Sequence, residues 1–134
     1  MGKTMEILDD DKLLKPETQL LLSFLETALW AETDSEGDPL EDGFSFENID
    51  QNSADMVKTV CNEFIEKAGN AAILENGYLL AGHDLYLTLT GHGAGFWDGD
   101  WPENGEKLTE ICGALASHVD IYDDSGTLYI DISP

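Results

Sequence analysis

The sequence predicts an α+β fold: two N-terminal helices, a small and largely antiparallel sheet, a third helix and a C-terminal β-hairpin. Three observations lead there. Apolar residues recur at helical spacing in the first half of the chain, the period changes to alternation at Leu85, Leu87 and Leu89, and a second alternating pair flanks an Asp-Asp-Ser-Gly turn near the end. With 134 residues, of which 42% are hydrophobic and 9% aromatic, the chain has material for one core. One globular domain over residues 1–134 is expected, with 1–14 flexible.

The first helix is expected over about residues 15–32. Pro16 suits an opening turn, Glu17 favours the positive end of the helix, and Leu21, Leu22, Leu25, Ala28 and Leu29 form a stripe widened by Phe24 and Trp30. Residues 33–52, TDSEGDPLEDGFSFENIDQN, read as a long acidic loop because glycine and proline interrupt every period. A second helix starts near Ser53, since Val57, Val60, Cys61, Phe64, Ile65 and Ala68 keep one face, and Gly69 ends it as a left-handed cap. Leu85, Leu87 and Leu89 against Tyr86, Thr88 and Thr90 predict a strand. After Pro102, Leu108, Ile111, Cys112 and Leu115 predict a short helix. Val119 and Ile121, the turn at Asp123-Asp124-Ser125-Gly126, and Leu128, Ile130 and Ile132 predict the hairpin.

Charge narrows the function. The chain has 28 acidic residues against six basic ones and a formal net charge of −22. Such a field repels nucleic acid and anionic membrane surfaces and attracts basic partners. Direct nucleic-acid binding and membrane association are therefore not expected. The N-terminus lacks a signal-peptide h-region and no apolar run is long enough to span a bilayer, so a cytoplasmic protein is expected. Glu6 stands where a myristoylation motif wants Ser or Thr. Cys61 and Cys112 lack CxxC spacing and read as small buried apolar residues.

The densest chemistry lies in TGHGAGFWDGDWPENG, residues 90–105. Glycines 91, 93 and 95 permit a nest of main-chain N–H groups, but no phosphate motif accompanies them and no Lys or Arg lies between Lys67 and Lys107. His83, Asp84, His92, Asp98 and Asp100 are chemically suitable metal ligands without a recognised ligand spacing. His92 with Asp84 or Asp98 is the one plausible acid–base pair, and no nucleophile signature joins it. No cofactor, no metal and no enzymatic activity are expected. Phe96 and Trp97 are expected to plug the core, leaving Trp101 with Asp98 and Asp100 at an exposed tip.

Three segments in order, ETALWAETDSEGDPLEDGFSFENI, GHDLYLTLTGHGAGFWDGDWPENGEKLTE and DIYDDSGTLYIDI, resemble a family of small acidic proteins of unassigned function encoded by bacteriophages and mobile elements. The likeness runs from about Phe24 to Ile132, and GHGAGFWD, residues 91–98, is its most distinctive part. The family pattern has an arginine after that Asp and an Arg-Asn pair before the glycines; here Gly99 and Leu89-Thr90 stand there.

The resemblance implies a protein acting in a host cell, and small acidic phage proteins often occupy a nucleic-acid groove with carboxylates in place of phosphates. Between Lys15 and Lys58 lie eleven acids and no basic residue. The expected function is thus binding and inhibition of a basic host protein that handles nucleic acid in defence. Asp34, Glu36, Asp38, Glu41, Asp42, Asp98, Asp100 and Trp101 are the expected contact residues. Two alternatives are a structural or housekeeping phage protein and a small enzyme centred on His92.

Overall fold

Helix α1 (Pro16–Ala31) begins with its proline in the first turn and ends where Glu32 leaves helical geometry, close to the expected bounds. The computed structural model describes residues 14–34, 36–91, 95–116 and 118–133. The flexibility expected for 1–14 falls, apart from Leu14, outside these residues. After α1 come two single-turn 3-10 segments, Leu40–Asp42 and Phe46–Asn48. Helix α2 (Gln51–Ala68) follows, then the one-turn α3 (Asn70–Ile73), α4 (Tyr78–Thr90), α5 (Gly105–Leu115) and a hairpin of β1 (His118–Asp124) and β2 (Thr127–Ser133). The class is α+β.

Helix α2 starts two residues before Ser53 because Asp50 caps it, its carboxylate accepting the Ser53 N–H at 3.0 Å. Val57, Cys61, Phe64 and Ala68 form the buried stripe, with Val60 and Ile65 half-buried beside it. Gly69 ends the helix at φ 86°, ψ 145°, a positive-φ break rather than the left-handed helical cap expected. Both cysteines are buried and free. Burial pushes both thiols up, Cys112 to about 12, which leaves them protonated and unreactive.

The strand expected at Leu85–Thr90 is instead the second half of α4, and among the described residues the sheet consists of the hairpin alone. The physical reason is burial on nearly all sides. Ala81, Gly82, Asp84, Leu85, Tyr86, Leu87 and Leu89 are all buried, so α4 carries no one-sided apolar stripe and its leucines alternate by accident of composition. Gly91, at φ 74° and ψ 22°, provides the left-handed cap.

Helices α1 and α4 form the main seam and run in the same direction. Ser23 donates to the Leu79 carbonyl at 2.5 Å, Thr27 lies 3.0 Å from His83 Nδ1, and the Tyr86 hydroxyl donates to Glu32. Phe24 meets Tyr86 edge-on, ring centroids 5.2 Å apart. The helices cross at Gly82, where a Cβ would overlap the Leu20 carbonyl oxygen and the Ser23 side chain. Burial raises the Tyr86 pKa, and the hydrogen bond and charge of Glu32 raise it further.

In the hairpin Asp124 pairs with Thr127, so the loop is Ser125-Gly126, one residue later than the sequence suggested. Both have positive φ, 57° and 90°, the signature of a type I′ turn, and Asp123 Oδ1 accepts the Gly126 N–H at 2.9 Å. Val119, Ile121, Leu128, Ile130 and Ile132 face the helices. The outer edge of β2 is tied down: Leu128 O accepts from Asp50 N at 2.8 Å, Ile130 N donates to Ser53 Oγ at 2.9 Å, and Ile132 N reaches Met56 Sδ at 3.4 Å.

Candidate partner-binding surface

Residues 33–34 and 36–50 form a structured ledge. Asp34 organises it: its Oδ1 accepts the N–H groups of Glu36 at 2.8 Å and Asp38 at 3.0 Å, and its own N–H donates to Asp38 O at 2.8 Å. Leu40 N then donates to Glu32 O at 2.9 Å, tying the ledge to the end of α1. Glu36, Asp38, Glu41 and Asp42 are exposed, and so is Glu47, which was not among the expected residues. Asp34 is half-buried, with its carboxylate engaged by the loop's own N–H groups.

Beneath the ledge a second small core joins distant parts of the chain. Leu29 of α1, Leu40 of the ledge and Leu128 of β2 are buried together, with Phe44, Phe46, Ile49 and Ile121 against them. Ile49 bridges to Leu128, the residue opposite Asp123 in the hairpin register. The ledge and the acidic hairpin, which also exposes Asp120, Asp123, Asp124 and Asp131, thus share one apolar support.

The stretch 95–105 divides its rings the other way from expectation. Trp101 is 2% exposed and Trp97 58%, so Trp101 is the plug and Trp97 the projecting ring. Trp101 Nε1 donates to Asp84 Oδ2 at 2.7 Å, which gives the indole N–H the buried acceptor it needs. Phe96 is buried as expected, stacked on Phe64 at 5.5 Å and meeting Trp101 edge-on at 5.2 Å.

Space and hydrogen bonds fix the rest of the loop. Thr88 Oγ1 accepts the Phe96 N–H at 3.0 Å and occupies the place a Cβ on Gly95 would take; a Cβ on Gly105 would meet the Phe96 carbonyl oxygen. Glu75 accepts the N–H groups of Glu103 at 3.1 Å and Asn104 at 3.0 Å just before α5. Desolvation pushes the Glu75 carboxyl up, but these hydrogen bonds outweigh it and hold the group below the usual carboxylate value.

Asp84 is the acid that sequence reading placed only as a possible ligand or base partner. It is 2% exposed. Burial pushes its carboxyl above the usual range, opposed by the Trp101 hydrogen bond and His83 and reinforced by Asp100 and Asp98. Asp98 and Asp100 are exposed, as expected. His92 lies outside the described residues, so the pairings expected for it lie there too, while Asp84 is engaged by Trp101. Among the described residues, no group of three or more His, Cys, Asp or Glu is placed to hold a metal ion. No described helix is long and apolar enough to cross a membrane.

The hairpin's outer face escaped the sequence reading. Tyr122 and Tyr129 lie opposite each other and stack at 5.4 Å and 18°, and Tyr122 is 50% exposed. Asp120 and Asp131 form the next outward pair. The signal was present in HVDIYDD and TLYIDI, whose polar positions alternate with the apolar ones. Comparison with known proteins leaves the surface to its chemistry: no family model, no curated protein and no solved structure matches the chain.

Proposed function

We propose that this protein is a non-enzymatic phage or mobile-element product that binds a basic host protein, one that handles nucleic acid in defence, and blocks it by presenting carboxylates where phosphates would lie. The observation carrying the reading is the ledge. Glu36, Asp38, Glu41 and Asp42 are exposed on a backbone held by the Asp34 turn and the Leu40 anchor, with no basic residue between Lys15 and Lys58 to neutralise them. Carboxylates on a fixed frame imitate a duplex, which carries one phosphate charge per roughly 1.7 Å of axis, better than the same charges on a mobile tail would.

A host-lysate pull-down at low and at about physiological salt identifies the partner and its charge dependence. The informative variant replaces Glu36, Asp38, Glu41 and Asp42 with their amides and keeps Asp34, whose carboxylate shapes the loop. An unchanged melting temperature with weakened, salt-insensitive partner capture is the expected result. Full affinity in that variant, or a partner that duplex DNA does not displace, overturns the reading.

A further inference from the structure

Among the described residues, the outward main-chain groups of β2 are met by hydrogen bonds from the helices and those of β1 are not. With a two-residue turn, the pairs Asp124–Thr127, Tyr122–Tyr129 and Asp120–Asp131 exchange the ladder hydrogen bonds, so Val119, Ile121 and Asp123 direct their main-chain groups away from β2. The equivalent outward groups of β2 are met by Asp50, Ser53 and Met56. Among the described residues, no hydrogen bond from outside the hairpin reaches the main chain of Val119, Ile121 or Asp123. On this edge Val119 and Ile121 are half-buried and Asp123 is exposed.

We propose that β1 is the docking edge for an extended basic segment of the partner, which adds as a third strand with Arg or Lys at alternate positions. The proposal rests on the reading that the partner is basic and names how that partner is held. Side-chain chemistry selects the occupant. On the outer face, cationic side chains of an added strand meet Asp120 and Asp124, while the stacked Tyr122–Tyr129 pair offers ring faces for a guanidinium. Asp120 and Asp131 already oppose each other as like charges, a repulsion that a guanidinium between them relieves.

The same acids disfavour the other occupants. A second copy pairing β1 to β1 brings two strands that each carry Asp120, Asp123 and Asp124 side by side, and charge on an edge strand is a usual means of resisting self-association. The chain's own segment 1–13 carries Asp9, Asp10 and Asp11. Main-chain hydrogen bonds supply strand addition with affinity, and the alternating side chains supply its specificity.

The test uses the full chain and a synthetic peptide of about eight residues alternating arginine and valine, long enough to span a strand of this kind. A second peptide of identical charge carries N-methyl groups on the alternate amides that would face β1. The expected result is hydrogen-exchange protection of the Val119, Ile121 and Asp123 amides by the first peptide, and about tenfold or more weaker binding of the second. Asp120→Asn with Asp124→Asn is expected to weaken the first peptide without altering the fold. Equal affinity for both peptides overturns strand addition while leaving the basic-partner reading intact, because charge alone then holds them. Slow exchange at those three amides in the free chain also overturns it, since the edge is then already covered. Failure of both peptides to bind, with partner capture from lysate retained, moves the contact off the hairpin.

Discussion

The 95–105 loop and the 118–133 hairpin contain similar residues, aromatic rings beside aspartates, and use them in opposite ways. In the loop, Phe96 and Trp101 turn inward on Phe64 and Asp84, and glycine is required where Thr88 and the Phe96 carbonyl come too close for a side chain. In the hairpin, Tyr122 and Tyr129 stack outward between aspartates. The loop is conspicuous in sequence because it is hard to build; the hairpin is plain in sequence yet leaves stacked rings and four aspartates on its outer side. An unusual motif can therefore record a packing requirement rather than a contact.

The strongest way to break this comparison is at the two tryptophans. Trp101→Ala is expected to cost about 3–5 kcal/mol by emptying a core position, and it also leaves the Asp84 carboxylate without its donor. Trp97→Ala is expected to fall within about 0.5 kcal/mol. Denaturant melts on both variants decide it, and a reversed order would restore the arrangement the sequence suggested. Next in size is Gly105→Ala, expected to cost about 1–3 kcal/mol because the added methyl meets the Phe96 carbonyl. Gly113→Ala, where the added Cβ has open space, is expected to stabilise slightly as an exposed helix position.

The third comparison uses pH. Asp84 has its folded-state pKa raised, chiefly by burial, so the folded state holds this proton more tightly than the unfolded state does. Its contribution to stability is complete below the ordinary carboxylate pKa and is lost as pH rises through the raised value. Asp84→Asn keeps an acceptor for the indole and removes that dependence. Unfolding free energies compared from mildly acidic to neutral pH should rise on acidification more steeply in the parent than in the variant. Parallel curves would mean that Asp84 is not the group responsible. The smallest expected effect is at Asp120→Asn, which removes the like charge opposite Asp131 and should stabilise the hairpin by about 0.2–1 kcal/mol. A stabilised fold that binds the arginine–valine peptide less well would identify Asp120 as a residue placed for contact at some expense of stability.

What could be read from sequence followed from which residues had one-sided environments. Helices α2 and α5 and the hairpin each bury one face, so period and caps located them within a few residues. Helix α1 buries more than one face and was located by Pro16 and its length, while Trp30, expected on its stripe, is exposed. Helix α4 is buried all round and therefore mimicked a strand. Trp97 and Trp101 lie in a loop with no period to separate them, and the choice was made by an acceptor seventeen residues away, Asp84. Of the expected contact residues, Glu36, Asp38, Glu41, Asp42, Asp98 and Asp100 are exposed as a polar loop implies. Asp34 is drawn in because its carboxylate matches the turn's N–H groups, a role charge counting does not reveal.

The α1–α4 seam also has a consequence for synthesis on the ribosome. Its pairings join residues 56 and 54 positions apart, so α1 emerges well before its partner exists. At about 5–20 residues per second, Leu20, Phe24 and Leu25 stay uncovered for several seconds after leaving the exit tunnel. During that interval the nascent chain presents an apolar helix beside an acidic ledge whose apolar support still lacks Leu128. Its yield in a cell should therefore depend on chaperone capture of α1 and on translation speed across residues 32–90, more than on the equilibrium stability of the finished fold.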